Sequence, residues 1–532
     1  MCGIVGDIGP GFDPRRFQQA LAALVHRGPY GEGQVALPAG ALGMTRLPMS
    51  SAAPLPIPVR LGEECIAYNG EVYAPGVGIV EEVRLLCDGM ENGRMPDGMF
   101  ALARWQPQQA LLTLQRDSYG IKPLYYCYQA GSGRLLFASE LMPLLLMTGD
   151  RTPDRDAIAQ VVATGVTLAG ESLFAGIQLV APGEQLQFQL RDGRAQLIAR
   201  RHFSPPSAPA SASLEETLGE AIHRCNETFR PAALLLSGGI DSTLLNTWLP
   251  PDMAKFTLAL EHAEEAVRPQ PHLQRVPLAQ AAFMPVLRKA VRHFGAATRM
   301  SSVLMYQQLA DAVGDAGYHC VLMGEGADEL FWGYPRHLEL AQQAAPPGPA
   351  QFAGAWFGDY QQKAALLSPQ VAARLTDQID TLAETALQQG REAAIQHFDL
   401  HYSLEPLLRR ADHLLMSRTI EARTPYLHAG LGALARRTDR LAPGMAKVPL
   451  CQLLQQRLPA WQWQPKQHFR LPFARWPHAA QEMRHHLQQH TSALRDLGLV
   501  NLVPDQIGTM DNAQLFTLTT LSLWQQEYKV AL

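Results

Sequence analysis

The 532-residue sequence has no CxxC spacing, no apolar run of 18 residues, no extended basic run and no Walker A phosphate loop. Each absence closes a class. Its seven cysteines, Cys2, Cys65, Cys87, Cys127, Cys225, Cys320 and Cys451, are scattered and odd in number, which excludes a disulfide scaffold and a zinc cage. Without a long apolar run there is no membrane helix to expect. With 45 Lys plus Arg against 49 Asp plus Glu, the net charge of -4 leaves no electrostatic footprint for nucleic acid, so small metabolites are the expected partners. The opening MCGIVGDIG has no basic segment leading into an apolar core, so no export signal is expected and a reducing cytoplasm fits.

A chain this long exceeds one hydrophobic core, and the pattern divides it in two. Residues 1–200 carry short β-rich runs such as LLTLQRD, PLYYCY and RLLFASE between glycine turns, which predicts a largely β domain with few helices. Residues 201–213 include the Pro, Ser and Ala-rich FSPPSAPASAS, the composition of a linker. From 214 to 532, apolar strands (AALLLS, KFTLAL, HCVLMG) alternate with amphipathic helices, which predicts a parallel sheet flanked by helices. A helical part follows from about Gly354.

Cys2 stands out because removal of Met1 would place a thiol and a free α-amine on one residue. An α-amine with a pKa of about 7.7 to 8.0 can take the thiol proton near neutral pH. Alone, a cysteine at position 2 means little. Here it opens a series: MCGIVG, HRGPYGEG, LGMTRL, YNGEVY, DGMFALARW and RDSYGIKPLYY. Together these resemble the class II glutamine amidotransferase domain over nearly all of the first 145 residues. The resemblance implies an N-terminal nucleophile αββα fold with Cys2 as nucleophile. It also implies that Arg46 holds the glutamine carboxylate, that the Asn69 side chain and Gly70 amide form an oxyanion hole, and that Glu71 contacts the substrate amine. Two departures are visible. GIVEEV places Val80 where an aspartate is usual, with Glu81 and Glu82 as substitutes, and Tyr30 stands where HRGPD is usual.

In the second half, AALLLSGGIDSTLL is a strand, a Ser237-Gly238-Gly239 turn and a helix whose first turn carries Asp241 and Ser242. Such a turn can cradle phosphate on backbone N–H groups and hydroxyls. A second turn, LMGEGADELFWGY, holds Gly324 with Glu325, Asp328 and Glu329. Carboxylates beside a nucleotide are explained by Mg2+, for which Asp241 and Asp328 are the expected ligands. The first turn resembles the loop of enzymes that split ATP into AMP and pyrophosphate. The pair resembles the α/β pyrophosphatase-loop synthetase domain of the asparagine synthetase B family, found also in β-lactam synthetases and lasso-peptide cyclases. The likeness continues through RRADHLLMSRTIEARTPYLH and KVPLCQLLQQRLPAWQWQPKQHF. It implies that Glu325 acts near ammonia attack and that Lys447 and Lys466 neutralise the phosphates.

The expectation is an ATP- and Mg2+-dependent, glutamine-hydrolysing ligase that transfers ammonia to an adenylated small carboxylic acid, with a homodimer left open. The alternative is an intramolecular amide-forming ligase with a vestigial glutaminase domain. Where relatives carry S-M-A-x-G, this chain has Leu415-Met416-Ser417-Arg418-Thr419, and His428 replaces a terminal Asp. These changes favour an acceptor other than aspartate, with Arg418 as a candidate cation for a second carboxylate. His486 and His490, four apart, lack a third metal ligand and read as a solvated helix face.

Overall fold

The computed structural model describes residues 2–50, 55–74, 76–205, 212–261, 267, 269–428, 430–462 and 471–530. Its N-terminal half contains two six-stranded sheets. The first has the order β10-β8-β9-β1-β3-β2, built from β1 (Cys2–Ile8), β2 (Glu32–Leu37), β3 (Gly40–Arg46), β8 (Tyr125–Gln129), β9 (Arg134–Ala138) and β10 (Ile177–Leu179). The second has the order β12-β11-β7-β6-β5-β4, from β4 (Val59–Leu61), β5 (Glu64–Val72), β6 (Gly98–Gln106), β7 (Leu111–Arg116), β11 (Glu184–Arg191) and β12 (Arg194–His202).

Strand alternation decides which face each residue takes. On β1, Cys2, Ile4 and Ile8 enter the core between the sheets, while Val5 packs outward with Phe17 and Leu21 of α1 (Pro14–Ala22). On β5, Cys65 and Ala67 face inward, while Ile66, Tyr68 and Val72 pack under α2 (Ile79–Asn92). By the same parity, Asn69 and Glu71 share the inward face with Cys2. Helices α1 and α3 (Leu141–Thr148) cover the first sheet and α2 the second, which gives the αββα layering.

After α4 (Arg155–Thr164) and α5 (Leu214–Asn226), the second half forms a five-stranded parallel sheet in the order β15-β14-β13-β16-β17. Its strands are β13 (Ala232–Leu235), β14 (Ala254–Leu260), β15 (Leu273–Leu278), β16 (Cys320–Leu322) and β17 (Glu421–Arg423). Ala233 and Leu235 pack on one face with α7 (Phe283–Phe294) and α8 (Ser302–Asp315), while Leu234 and Leu236 pack on the other with α5 and α6 (Ile240–Asn246). Apolar faces on both sides explain the near-continuous hydrophobic runs. The chain runs outward from β13 to β15, returns to β16 and continues to β17. The strand order therefore reverses between β13 and β16, the place where open α/β sheets bind ligands. Helix α9 (Ala327–Phe331) follows β16, and the rest is mainly helical. Among the described residues, no helix is long and apolar enough to cross a membrane.

Candidate active sites in the two halves

Cys2 pairs in register with Arg46, the last residue of β3. Burial in the inter-sheet core pushes its thiol pKa up, so a thiolate requires a base. The Cys2 N–H donates to Asn69 Oδ1 at 3.0 Å. With its oxygen committed, the Asn69 side chain turns Nδ2 elsewhere, and that atom is buried without a hydrogen-bond partner. A buried donor left unmade costs about 1–3 kcal/mol, and an oxyanion forming on a substrate carbonyl is the group that would satisfy it.

Gly70 follows at φ +147, where a Cβ would lie 2.0 Å from the Met99 carbonyl oxygen. Only glycine fits. Gly70→Ala is expected to lower the melting temperature through strain of about 1–3 kcal/mol. On the oxyanion role that the resemblance implies for the Gly70 amide, the substitution is also expected to cut glutamine hydrolysis by roughly 10²–10³-fold. Thermal melts and a glutamate-release assay read the two effects.

Glu71 completes the strand. Its Oε2 lies 2.7 Å from Arg423 Nη2 of β17, across the junction between the halves. The Val80 side chain packs apolar against the α2 core and offers no carboxylate. Glu81 pairs with Arg84 at the surface. Glu82 is buried, accepts from Tyr68 OH at 2.9 Å and Val72 N at 3.3 Å, and is pushed up to about 6 by burial. Glu82 is therefore spent on fixing the end of β5, and neither residue replaces the missing aspartate.

Several functional contacts had no local signal in the sequence. Arg27, wholly buried, donates to the Cys2 carbonyl at 3.3 Å, to Glu140 at 2.9 Å and to Asp412 of the helix Glu405–Met416 at 2.7 Å. One guanidinium thus ties the nucleophile strand to the second half. Tyr30 lies under the Arg230 guanidinium, 4.0 Å from its ring centroid, and its hydroxyl meets His319 at 3.4 Å. The residue that departs from HRGPD therefore also clasps the second half. His428, the other departure, pairs with Asp97 at 2.9 Å and stacks on Tyr73.

At the sheet's switch point two loops meet. The Ser237 N–H donates to Ser242 Oγ at 3.1 Å, and Gly238 turns at φ +80. A Cβ on Gly324 would lie 2.8 Å from the Asp241 Cβ, so glycine there lets the loops close on each other. Lys447 Nζ sits between them, 2.6 Å from both Asp241 oxygens and 2.7 Å from Asp328 Oδ1. Burial opposes the charge, but the two carboxylates outweigh it and raise the lysine's pKa. A Cβ on Gly333 would fall 1.9 Å from Asp328 Oδ1 and 2.1 Å from Lys447 Cε, so Gly333 makes the space for this cluster. Neighbouring Glu329 is pushed up to about 8 by burial and by Asp328, and accepts from Tyr334 OH at 2.5 Å.

Two carboxylates converging on one cation fit a Mg2+ site that takes its remaining ligands from phosphate and water. Among the described residues, no group of three or more metal-capable side chains occurs, so the protein alone does not complete such a site.

Glu325 accepts from Tyr306 OH at 2.6 Å and from Arg410, whose other arm reaches Ser302 at 2.5 Å. The cation beside Glu325 is therefore Arg410. Arg418 pairs with Asp315 and Asp311 at the far end of α8. Asp315 is 13 positions from Ser302, about 20 Å along the helix at 1.5 Å per residue. Since partly exposed pairs contribute only ~0–1 kcal/mol, Arg418→Ala is expected to leave ATP-dependent turnover within about twofold, as a pyrophosphate-release assay would show. Lys466 lies outside the described residues. His486 is not on a solvated face: it is buried and meets Ser522 at 2.9 Å, while His490 bonds the His486 carbonyl.

Two family models match the chain. The asparagine synthase family model matches residues 213–525, and the glutamine amidotransferase domain model matches 1–76 and 87–198. Asparagine synthetase [glutamine-hydrolyzing] 3 of Bacillus subtilis is 25% identical over 62% of this chain and 59% of its own. Asparagine synthetase [glutamine-hydrolyzing] 1 of the same organism is 26% identical over 64% of this chain and 60% of its own. The chain thus spans about 60% of the length of these relatives. A solved glutamine phosphoribosylpyrophosphate amidotransferase from B. subtilis superposes with a TM-score of 0.27 and 13% identity, over 61% of this chain and 82% of that one.

Proposed function

Because the chain belongs to the asparagine synthase family, we propose that it is an ATP-dependent, glutamine-hydrolysing carbon–nitrogen ligase. In this reading the first half frees ammonia from glutamine and the second delivers it to an adenylated carboxylic acid. The observation that carries the reading is the buried Cys2 thiol held beside the unpartnered Nδ2 of Asn69.

With Met1 removed, the nitrogen now bonded to Asn69 Oδ1 becomes the α-amine. One N–H stays tethered to that oxygen, and the lone pair is available to take the thiol proton. The thiolate attacks the glutamine amide carbon, and the oxyanion is received by Asn69 Nδ2 and the Gly70 N–H. Collapse expels ammonia, with its extra proton returned from the amine. Water then hydrolyses the glutamyl thioester to glutamate and restores the thiol. In this reading Arg46, opposite Cys2, takes the substrate carboxylate, and Glu71 takes the ammonium.

In the second half, the reading assigns the phosphates of ATP to Ser237, Gly238, Gly239 and Ser242, with Lys447 bonded to neighbouring Asp241. When bound there, Mg2+ would neutralise pyrophosphate as it leaves, and Asp241 and Asp328 would hold it. The acceptor carboxylate attacks the α-phosphorus and releases pyrophosphate. Ammonia then attacks the acyl carbon and releases AMP. Glu325 is the carboxylate expected to take the proton lost by ammonia. The apolar cluster of Leu47, Met49, Cys320 and Met416, bridging the halves, supports a dry route for ammonia between them.

The acceptor is read as a small acid other than aspartate. Leu415 is fully buried where relatives carry serine, Thr419 stands where they carry glycine, and Arg410 is already taken by Glu325. The test incubates the protein with ATP, Mg2+ and a panel of acids, with glutamine or ammonium, and follows pyrophosphate, AMP and glutamate by mass spectrometry. AMP and an amide are expected. ADP as the spent nucleotide overturns the reading, and pyrophosphate formed without a nitrogen donor favours an intramolecular ligase.

A further inference from the structure

The glutamine pocket is not built by the first half alone. Arg423, on β17 of the second half, is wholly buried and surrounded by acceptors. Its Nε donates to Glu421 at 2.6 Å, and Nη1 donates to the carbonyls of Cys225 at 2.9 Å and Glu227 at 3.0 Å. Nη2 lies 2.7 Å from Glu71 Oε2, but that contact is electrostatic only: neither atom finds an aligned hydrogen-bond partner. Glu71 Oε2 therefore holds an unused acceptor position while sensing the guanidinium. Glu71 also follows directly on Asn69 and Gly70, so what holds its side chain bears on the strand that carries the oxyanion donors. With Val80 at the usual aspartate position, a substrate ammonium has no acid there to share the task.

We infer that Arg423 is a positioning residue for glutamine: through its ion pair, the second half governs whether Glu71 presents a carboxylate to the substrate's ammonium group. The inference rests on the glutaminase reading above. One guanidinium serves two carboxylates, and the two do not fare alike. Burial opposes ionisation of both. Arg423 still draws Glu421 down to about 2, helped by the amino terminus and Lys122. Glu71 is left up at about 8, because burial and the charges of Glu421 and Glu82 outweigh Arg423 and the amino terminus. The carboxylate is thus poised in the working pH range, and the Arg423 charge sets where. Strand β17 also meets the ATP loop, since the Arg423 carbonyl accepts from the Met323 N–H, one residue before Gly324. Lys122 of the first half reaches the Ala422 carbonyl at 3.4 Å.

The experiment measures glutamate release against pH for the full chain and for Arg423→Met, Arg423→Lys and Glu71→Gln, with ATP affinity and melting temperature alongside. An acid whose pKa is raised must lose its proton to receive an ammonium. In the wild-type chain, KM for glutamine should therefore fall as pH rises through an inflection near 8, while the α-amine of Cys2 shapes the pH dependence of kcat. Arg423→Met should move that inflection up by about one unit or more and raise KM near neutral pH by roughly tenfold, one decade per pKa unit. Its kcat at saturating glutamine and its ATP affinity should change little. Arg423→Lys should restore part of the shift. Glu71→Gln should remove the inflection and make Arg423→Met without further effect on KM. An unmoved inflection in Arg423→Met, or glutamine KM and ATP affinity worsening together in both Arg423 variants, overturns the inference. Absence of glutamate release from the wild-type chain, or release by Cys2→Ala at the wild-type rate, sinks the glutaminase reading instead, and this inference with it.

Discussion

Replacement of Cys2 by alanine is expected to lower glutamine hydrolysis by roughly a million-fold, the scale seen when a covalent nucleophile is removed, while ammonium-supported amide synthesis stays within about twofold. The first effect follows because Cys2 is the residue whose own amide bonds the Asn69 side chain, so its thiol stands at the start of β1 beside the proposed oxyanion donor. Any residual rate would come from water attacking a carbonyl still polarised by Asn69 and Gly70. The second follows from what holds the halves together at this point. Arg27 grips the carbonyl of residue 2, not its side chain, and its pairs with Glu140 and Asp412 are untouched. Losing one sulfur atom from the core should cost on the order of 1 kcal/mol. The check is product formation with ammonium and with glutamine, side by side. If the variant still releases glutamate at a substantial rate, the thiol is not the nucleophile.

Lys447→Met carries the second large effect, with the opposite signature: synthesis with either nitrogen source should fall by at least ~10³-fold, while basal glutamate release persists. A lysine beside a developing pyrophosphate supplies charge where charge forms, and a loss of that size corresponds to about 4 kcal/mol of transition-state stabilisation. The same substitution should also destabilise the nucleotide-free protein. The buried ammonium offsets the repulsion between the half-buried Asp241 and Asp328 that converge on it, and removing the buried member of such a cluster costs about 3–5 kcal/mol. Added MgATP should recover part of the melting temperature. Arginine is not a substitute, because Lys447 Cε already occupies the space left by Gly333. A variant that keeps both full synthesis and wild-type stability would show that the lysine is a bystander.

Much of this could be read before any coordinates. Motifs whose chemistry is carried by neighbours in the chain were legible: Cys2 at the head of a strand, Asn69-Gly70 together, Ser237-Gly238-Gly239 between strand and helix. The runs LLTLQRD, PLYYCY and RLLFASE are strands, as their composition predicts. What escaped was of two kinds. Short edge strands went unseen: β17 is three residues long, and β15 contains Pro277, which weakens a strand signal. The cations that tie these elements together were also hidden, because their partners are tens to hundreds of positions away. Arg27 and Asp412 are separated by 385 residues, Arg410 and Glu325 by 85. No periodicity reports such pairs. Arg418 lies in the turn just past the helix Glu405–Met416, where the sequence pattern carries no periodicity to say which way its side chain points. Arg410, one helical turn before Leu414, proved to be the arginine on the inward side.

The alternation along β5 has a last consequence. Cys65, Ala67, Asn69 and Glu71 reach the interior only because each is two positions from the next. One residue inserted or deleted ahead of Asn69 would bring Tyr68 and Gly70 round to meet the thiol and turn the amide and carboxylate out beneath α2. Donor and acid would vanish from the pocket together. Length, more than chemical identity, is what this stretch of chain cannot afford to change.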